Sequence, residues 1–266
     1  MPRPAVNVAV RAARAAGSVI LRYMNRVDSL KVEEKARMDF ATEVDRLAEA
    51  EIVRELKRAF PDHSILAEES GASGKKTDKM WIIDPLDGTH NYLRGFPHFC
   101  VSIGFFDHGD PVHAVIYDPL RDELFTESKG DGAFLNERRM RVTKRENLSG
   151  TLLCTGFPYR QREHLDAQLA MTRALLGEAE DIRRTGSAAL DLAYVAAGRL
   201  DGYFEIGLKP WDMAAGCLLV REAGGQYADF TGKTVIPENG NLLAGNHHVV
   251  AAMAGLIAPL MPPGWR

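Results

Sequence analysis

The chain has 266 residues, 45% of them hydrophobic, and a formal net charge of -3. That is enough apolar material for a sizeable core, and the charge excludes a protein whose whole surface is adapted to polyanions, leaving only the local basic cluster Arg138, Arg139, Arg141, Lys144 and Arg145. Cys100, Cys154 and Cys217 form no close pair, which excludes a disulfide framework or thiolate zinc site and reads as reduced, core-filling thiols. Residues 5–24 mix Val8, Ala12, Val19 and Leu21 with Arg11, Arg14 and Arg22, the pattern of an amphipathic helix. The same arginines break any signal-peptide pattern, and no run is long enough to span a bilayer, so a cytoplasmic protein without membrane contact is expected.

Residues 31–40 are charged and non-periodic, with Lys35 and Asp39 among them. Val44, Leu47, Ala48, Ile52, Leu56 and Phe60 then recur at helical spacing until Pro61, which places a second helix from near Thr42 with Asp45 in its first turn. Residues 63–67 read as a strand ending in Glu68-Glu69-Ser70-Gly71, and 71–79 as a polar loop. Short apolar runs at 99–106, 112–117, 123–127 and 132–135 are separated by strong turn formers, predicting an antiparallel meander. A strand is expected at 151–155 and a helix at 164–176, closed by Gly177. A further helix over 187–197, capped by Ser187, precedes a strand at 201–206. Asp212 then opens an apolar helix, followed by strands at 226–229 and 242–244 and a last helix. No repeat or linker divides the chain, so one catalytic domain spanning 1–266 is expected, with approximate halves 1–150 and 151–266.

The most informative stretch runs from Trp81 to Asn91, where a buried-strand pattern ends abruptly in Asp84-Pro85-Leu86-Asp87-Gly88-Thr89. The proline fixes a turn in which both carboxylates can face one point and the Leu86 carbonyl is left free. Carboxylate and carbonyl oxygens suit a hard cation such as Mg²⁺, and the backbone N–H groups of Gly88 and Thr89 suit an approaching anion. This constellation proposes metal-assisted phosphate chemistry. A haloacid-dehalogenase reading of Asp84 as nucleophile is disfavoured, because two residues separate Asp84 from Asp87 where that pattern has one.

The motif Asp84-Pro85-Leu86-Asp87-Gly88-Thr89, with Asn91 two residues on, and the second motif Trp211-Asp212-Met213-Ala214-Ala215-Gly216 resemble the inositol monophosphatase family. Glu68-Glu69-Ser70-Gly71, residues 39–45 and the run from Arg183 to Ala189 extend the resemblance along the chain, with 182–225 especially like the bacterial SuhB-type branch. The resemblance implies an α/β fold of layered α-β-α-β-α type with mixed and antiparallel sheets. It also implies a lithium-sensitive, often homodimeric phosphomonoesterase using two or three Mg²⁺ ions. One ion would take Glu68, Asp84 and the Leu86 carbonyl, and a second Asp84, Asp87 and Asp212.

By the same resemblance Thr89 and Asp45 orient and deprotonate the attacking water, with Glu68 counted among the catalytic groups as well as the ligands. Leu86, Asp87, Gly88, Thr89 and Asp212 border the phosphate, while Glu205, Ala188 and Arg183 match positions that touch the alcohol or shape its pocket. His90 stands where the family usually repeats threonine. Inositol 1-phosphate is the first substrate implied. Fructose 1,6-bisphosphate, histidinol phosphate and 3′-phosphoadenosine-5′-phosphate are the alternatives within the fold. A separate contact role with RNA polymerase, in transcription antitermination or ribosomal RNA processing, follows from the SuhB-type likeness, with Arg138–Arg145 and Arg183-Arg184 available for it.

Overall fold

The computed structural model describes residues 4–24, 32–36, 39–75, 77–262 and 264–265, with backbone only over 32–36 and 39–41. Helix α1 (Pro4–Met24) buries Val6, Ala9, Ala12, Ala13, Ala16 and Ile20 and turns its arginines outward, as the amphipathic pattern requires. The charged stretch after it forms the antiparallel hairpin β1 (Val32–Ala36) and β2 (Asp39–Thr42), where the sequence has no periodic signal. The side chains of Lys35 and Asp39 lie outside the described residues. Helix α2 (Glu43–Ala59) starts at the Thr42 cap and is followed by β3 (Ser64–Ala67). The predicted loop at 71–79 contains β4 (Gly71–Ser73), a short edge strand paired antiparallel to β3. Edge pairing through main-chain groups needs no apolar alternation, so the polar sequence concealed it.

Strand β5 (Lys79–Asp87) runs into the five-residue helix α3 (Thr89–Leu93). The expected meander follows as β6 (Cys100–Asp107), β7 (Asp110–Asp118), β8 (Glu123–Ser128) and β9 (Gly132–Leu135), ending in β10 (Arg138–Arg139). Then come β11 (Leu152–Thr155), α4 (Leu165–Leu176), β12 (Asp181–Arg183), α5 (Ala188–Ala196), β13 (Gly202–Glu205), α6 (Pro210–Glu222), β14 (Gln226–Asp229), β15 (Leu242–Gly245) and α7 (His247–Ile257).

The larger sheet has the order β10-β9-β8-β7-β6-β5-β3-β4, and all its pairs are antiparallel except β3 with β5. The smaller has the order β12-β11-β13-β15-β14, with β11 parallel to both its neighbours. Helices α1 and α2 pack on one face of the larger sheet, α5 and α6 lie between the sheets, and α4 and α7 cover the far face of the smaller one. The expected α-β-α-β-α layering is thus the architecture. The central layer explains why α6 reads as apolar on every side: Met213 to Val220 are all buried, as a helix between two sheets must be. No described helix is long and apolar enough to cross a membrane. All three cysteines are free and buried.

Candidate active site

Strand β5 delivers its acids where the pairing with β6 is interrupted between Asp84 and Asp87. Pro85 has no N–H to give to the ladder, and the Leu86 N–H instead donates to Asp84 Oδ1 at 3.0 Å. The interruption puts both carboxylates on the same side of the turn, where Asp212 meets them from the first turn of α6. Ligand oxygens of Asp84, Asp87 and Asp212 lie within 4.8 Å of one another, and all three side chains are buried. Glu68 joins them from the turn after β3, which Glu49 of α2 holds by accepting the N–H groups of Glu69 at 2.8 Å and Ser70 at 3.0 Å.

Neighbouring groups fix each acid. Asp87 Oδ2 accepts from the Ser187 hydroxyl at 2.6 Å and the Ala189 N–H at 2.7 Å, so Ser187 holds the N-cap position of α5 as the sequence predicts, but its hydroxyl goes to Asp87 instead of to the helix's own N–H groups. Asp212 accepts from the Lys209 N–H at 2.7 Å. It is therefore an acid of the first turn that reaches back to the cap, a role compatible with holding a cation through its other lone pairs.

Asp45 occupies the same position in α2. Its Oδ2 accepts the Thr42 N–H at 2.9 Å, while Oδ1 accepts the Thr89 hydroxyl at 2.8 Å. Thr89 Oγ1 also stands 3.0 Å from the Leu86 carbonyl oxygen. Asp45 is not among the residues lining the cleft and acts on it through Thr89. Gly88 is required between these groups: its φ is +96°, and a Cβ there would come within 2.9 Å of the His98 carbonyl oxygen.

Crowded, buried carboxylates repel one another and resist ionisation. Burial first, then the charges of Glu68, Asp87 and Asp212, push Asp84 well above the usual carboxylate range. Burial and then Asp212 push Asp87 up to about 7, against the opposing bonds from Ser187 and Ala189. Burial also raises Asp45, partly offset by the Thr42 and Thr89 hydroxyls. A divalent cation would convert this mutual repulsion into attraction, and an all-oxygen donor set suits a hard ion. The residues present therefore fit a metal.

The cleft encloses about 380 Å³ and is lined by Glu68, Asp84, Leu86, Asp87, Gly88, Thr89, Ala188, Glu205 and Asp212, all expected from the sequence. Glu205 is pushed up to about 8, chiefly by burial and against the bond it accepts from the Tyr203 hydroxyl. Gly156 makes room for it, since a Cβ there would fall 2.1 Å from Glu205 Oε1. His90 is exposed and borders the cleft. Arg183 is not brought there: it sits on β12, pairs with Asp181, and faces a separate surface pocket with Arg145 and Asp201. Arg184 lines the cleft instead.

Sequence reasoning also missed Arg94, Arg160 and Asp191, which border the cleft. Asp191 is buried, 2.5 Å from the Thr185 hydroxyl and 3.3 Å from His98 Nε2. A lone carboxylate in the apolar run of α5 was the signal that could have marked it. Arg160 left none, because it lies in a segment without pattern. Asn91 Nδ2 donates to the carbonyls of His98 at 2.7 Å and Thr185 at 2.8 Å, tying the α3 turn to the strand-to-helix connection that supports Asp87.

The profile of the inositol monophosphatase family matches residues 1–260. Among characterised relatives, Nus factor SuhB of Xylella fastidiosa is 57% identical over 97% of this chain and 95% of its own length. The solved structure of extragenic suppressor protein suhB from Bartonella henselae superposes with a TM-score of 0.93 at 43% identity, covering 96% of this chain and 98% of that one. The structure of inositol monophosphatase from Anabaena gives 0.86 at 41% identity, over 97% and 96% of the two chains.

Proposed function

This chain belongs to the inositol monophosphatase family, and on that premise we propose that it is a Mg²⁺-dependent phosphomonoesterase acting on inositol 1-phosphate and related small phosphates. The observation that carries the proposal is the buried triad Asp84, Asp87 and Asp212, with ligand oxygens within 4.8 Å, beside the Thr89–Asp45 pair. Glu68, Asp84, the Leu86 carbonyl, Asp87 and Asp212 would hold two or three Mg²⁺ ions. When bound, the ions neutralise charge on the phosphoryl and leaving oxygens and lower the pKa of water.

The chain's own groups do the rest. Gly88 and Thr89 present backbone N–H groups to the phosphate. Thr89 Oγ donates its proton to Asp45, leaving its lone pairs to accept a hydrogen bond from the attacking water. Glu68 borders the water's position, and Asp45, held above the usual range by burial, is suited to take up the proton. Ala188 and Glu205 would border the space for the alcohol, and Arg184, which lines the same cleft, would take the role that the resemblance gives to Arg183. Attack is in line, and Asp84 forms no covalent bond to phosphorus. Inhibition by lithium, a homodimer and a cytoplasmic location belong to the same reading.

A panel of phosphomonoesters assayed with Mg²⁺ tests it. Inositol 1-phosphate is expected to rank first in kcat/KM; a large preference for fructose 1,6-bisphosphate, histidinol phosphate or 3′-phosphoadenosine-5′-phosphate would overturn the substrate assignment. The relatives named Nus factor SuhB support a second role, contact with the transcription machinery, for which the exposed Arg138 and Arg139 are available. Asp87→Asn is expected to lose hydrolysis while still capturing RNA polymerase in a pull-down. Failure of the wild-type protein to capture it would remove this second role.

A further inference from the structure

Arg160 lies in the segment joining β11 to α4. Two tight turns shape that segment: the Tyr159 N–H donates to the Phe157 carbonyl at 2.7 Å, and the Gln161 N–H to the Pro158 carbonyl at 3.0 Å. They fold residues 156–161 along the cleft, which all six line. Arg160 Nη2 stands 3.7 Å from Glu68 Oε1, with side chains only 22% and 13% exposed. The guanidinium also lies over the Tyr159 ring, 4.8 Å from its centre, a stacking that holds its plane in place.

Glu68 lines the same cleft as Asp84, Asp87 and Asp212. Arg160 is thus a cation that the fold itself brings to a carboxylate expected to bind metal. A guanidinium keeps its charge at any working pH, so this cation cannot be titrated away. A divalent ion on Glu68 and the Arg160 guanidinium, both partly shielded from water, would repel each other. Binding of one therefore disfavours the other.

Resting on the reading of the cleft as a metal site, we propose that Arg160 is an internal competitor for Glu68. Metal loading and withdrawal of the 156–161 segment are then coupled, so that the divalent-ion concentration sets how open that side of the cleft is. A merely positioning role for Arg160, holding Glu68 in its ligand rotamer, predicts the opposite sign.

Calorimetric titration of the full-length protein with Mg²⁺ alone decides between them. Arg160→Gln is expected to bind Mg²⁺ about tenfold more tightly than wild type, ~1.4 kcal/mol. Arg160→Lys, which keeps the charge without the stacked plane, should fall between. Arg94→Gln removes another arginine lining the cleft and should change affinity by less than about twofold. Hydrogen exchange at the Tyr159 and Gln161 amides should rise when Mg²⁺ is added to wild type. Weaker binding by Arg160→Gln, or an equal gain from Arg94→Gln, overturns the proposal. Absence of Mg²⁺ binding by every form would instead defeat the metal reading on which it rests.

Discussion

Thr89 connects the two chemistries of the cleft through one oxygen, 2.8 Å from the Asp45 carboxylate and 3.0 Å from the Leu86 carbonyl. Removing that oxygen should disable proton handling without disturbing the acids. Thr89→Ala is therefore expected to lower kcat by on the order of 10²- to 10⁴-fold, the usual worth of positioned acid–base catalysis, with KM changed far less. Thr89→Ser should retain most activity, as steady-state kinetics would show. Asp84 and Asp87 were legible in the sequence because an apolar strand ended on them within one short motif. Ser187, whose hydroxyl is 2.6 Å from Asp87, carried only the local signature of a cap. Arg183 was expected at the cleft that Arg184 lines: Arg183 ends β12 and pairs with Asp181 on the outer surface, while Arg184 is the first residue past the strand, in the connection to α5.

At the scale of elements, α6 couples the site to the core. It carries Asp212 in its first turn, and one turn later Gly216 lets α5 approach so closely that a Cβ would lie 2.5 Å from Leu192 Cβ. Gly216→Ala should overpack this contact and destabilise the protein by about 1–3 kcal/mol, measurable by urea unfolding. Because Asp212 shares the helix, Mg²⁺ affinity should fall as well. A neutral Gly216→Ala would show that the central layer yields more readily than its packing implies. The meander of β6 to β9 was legible because tight turns pair neighbours in sequence. The order β12-β11-β13-β15-β14 was not, since parallel partners separated by helices leave no local mark, and β12 is only three residues long.

The whole molecule concentrates buried acid between its two sheets, and that has a cost which depends on pH. In the absence of cations Asp84 and Asp87 titrate above the ordinary carboxylate value, Asp87 at about 7 and Glu205 at about 8. Between the ordinary value and these raised ones, the folded chain binds protons that the unfolded chain has released. Stability must therefore fall as pH rises through that window. Chelated protein is expected to melt at a lower temperature at about pH 8 than at about pH 5.5, with Mg²⁺ restoring most of the difference and Asp87→Asn flattening the slope. Melting that is independent of both pH and Mg²⁺ would place the acids in water rather than in a shared site. The most direct test of the central claim is phosphate release from inositol 1-phosphate by wild type and by folded Asp84→Asn, each with Mg²⁺ and after chelation. Release should require both Mg²⁺ and Asp84, with a loss on the order of 10³-fold or more in the variant, ~4 kcal/mol of barrier. Undiminished release after chelation, or from Asp84→Asn, would contradict the account.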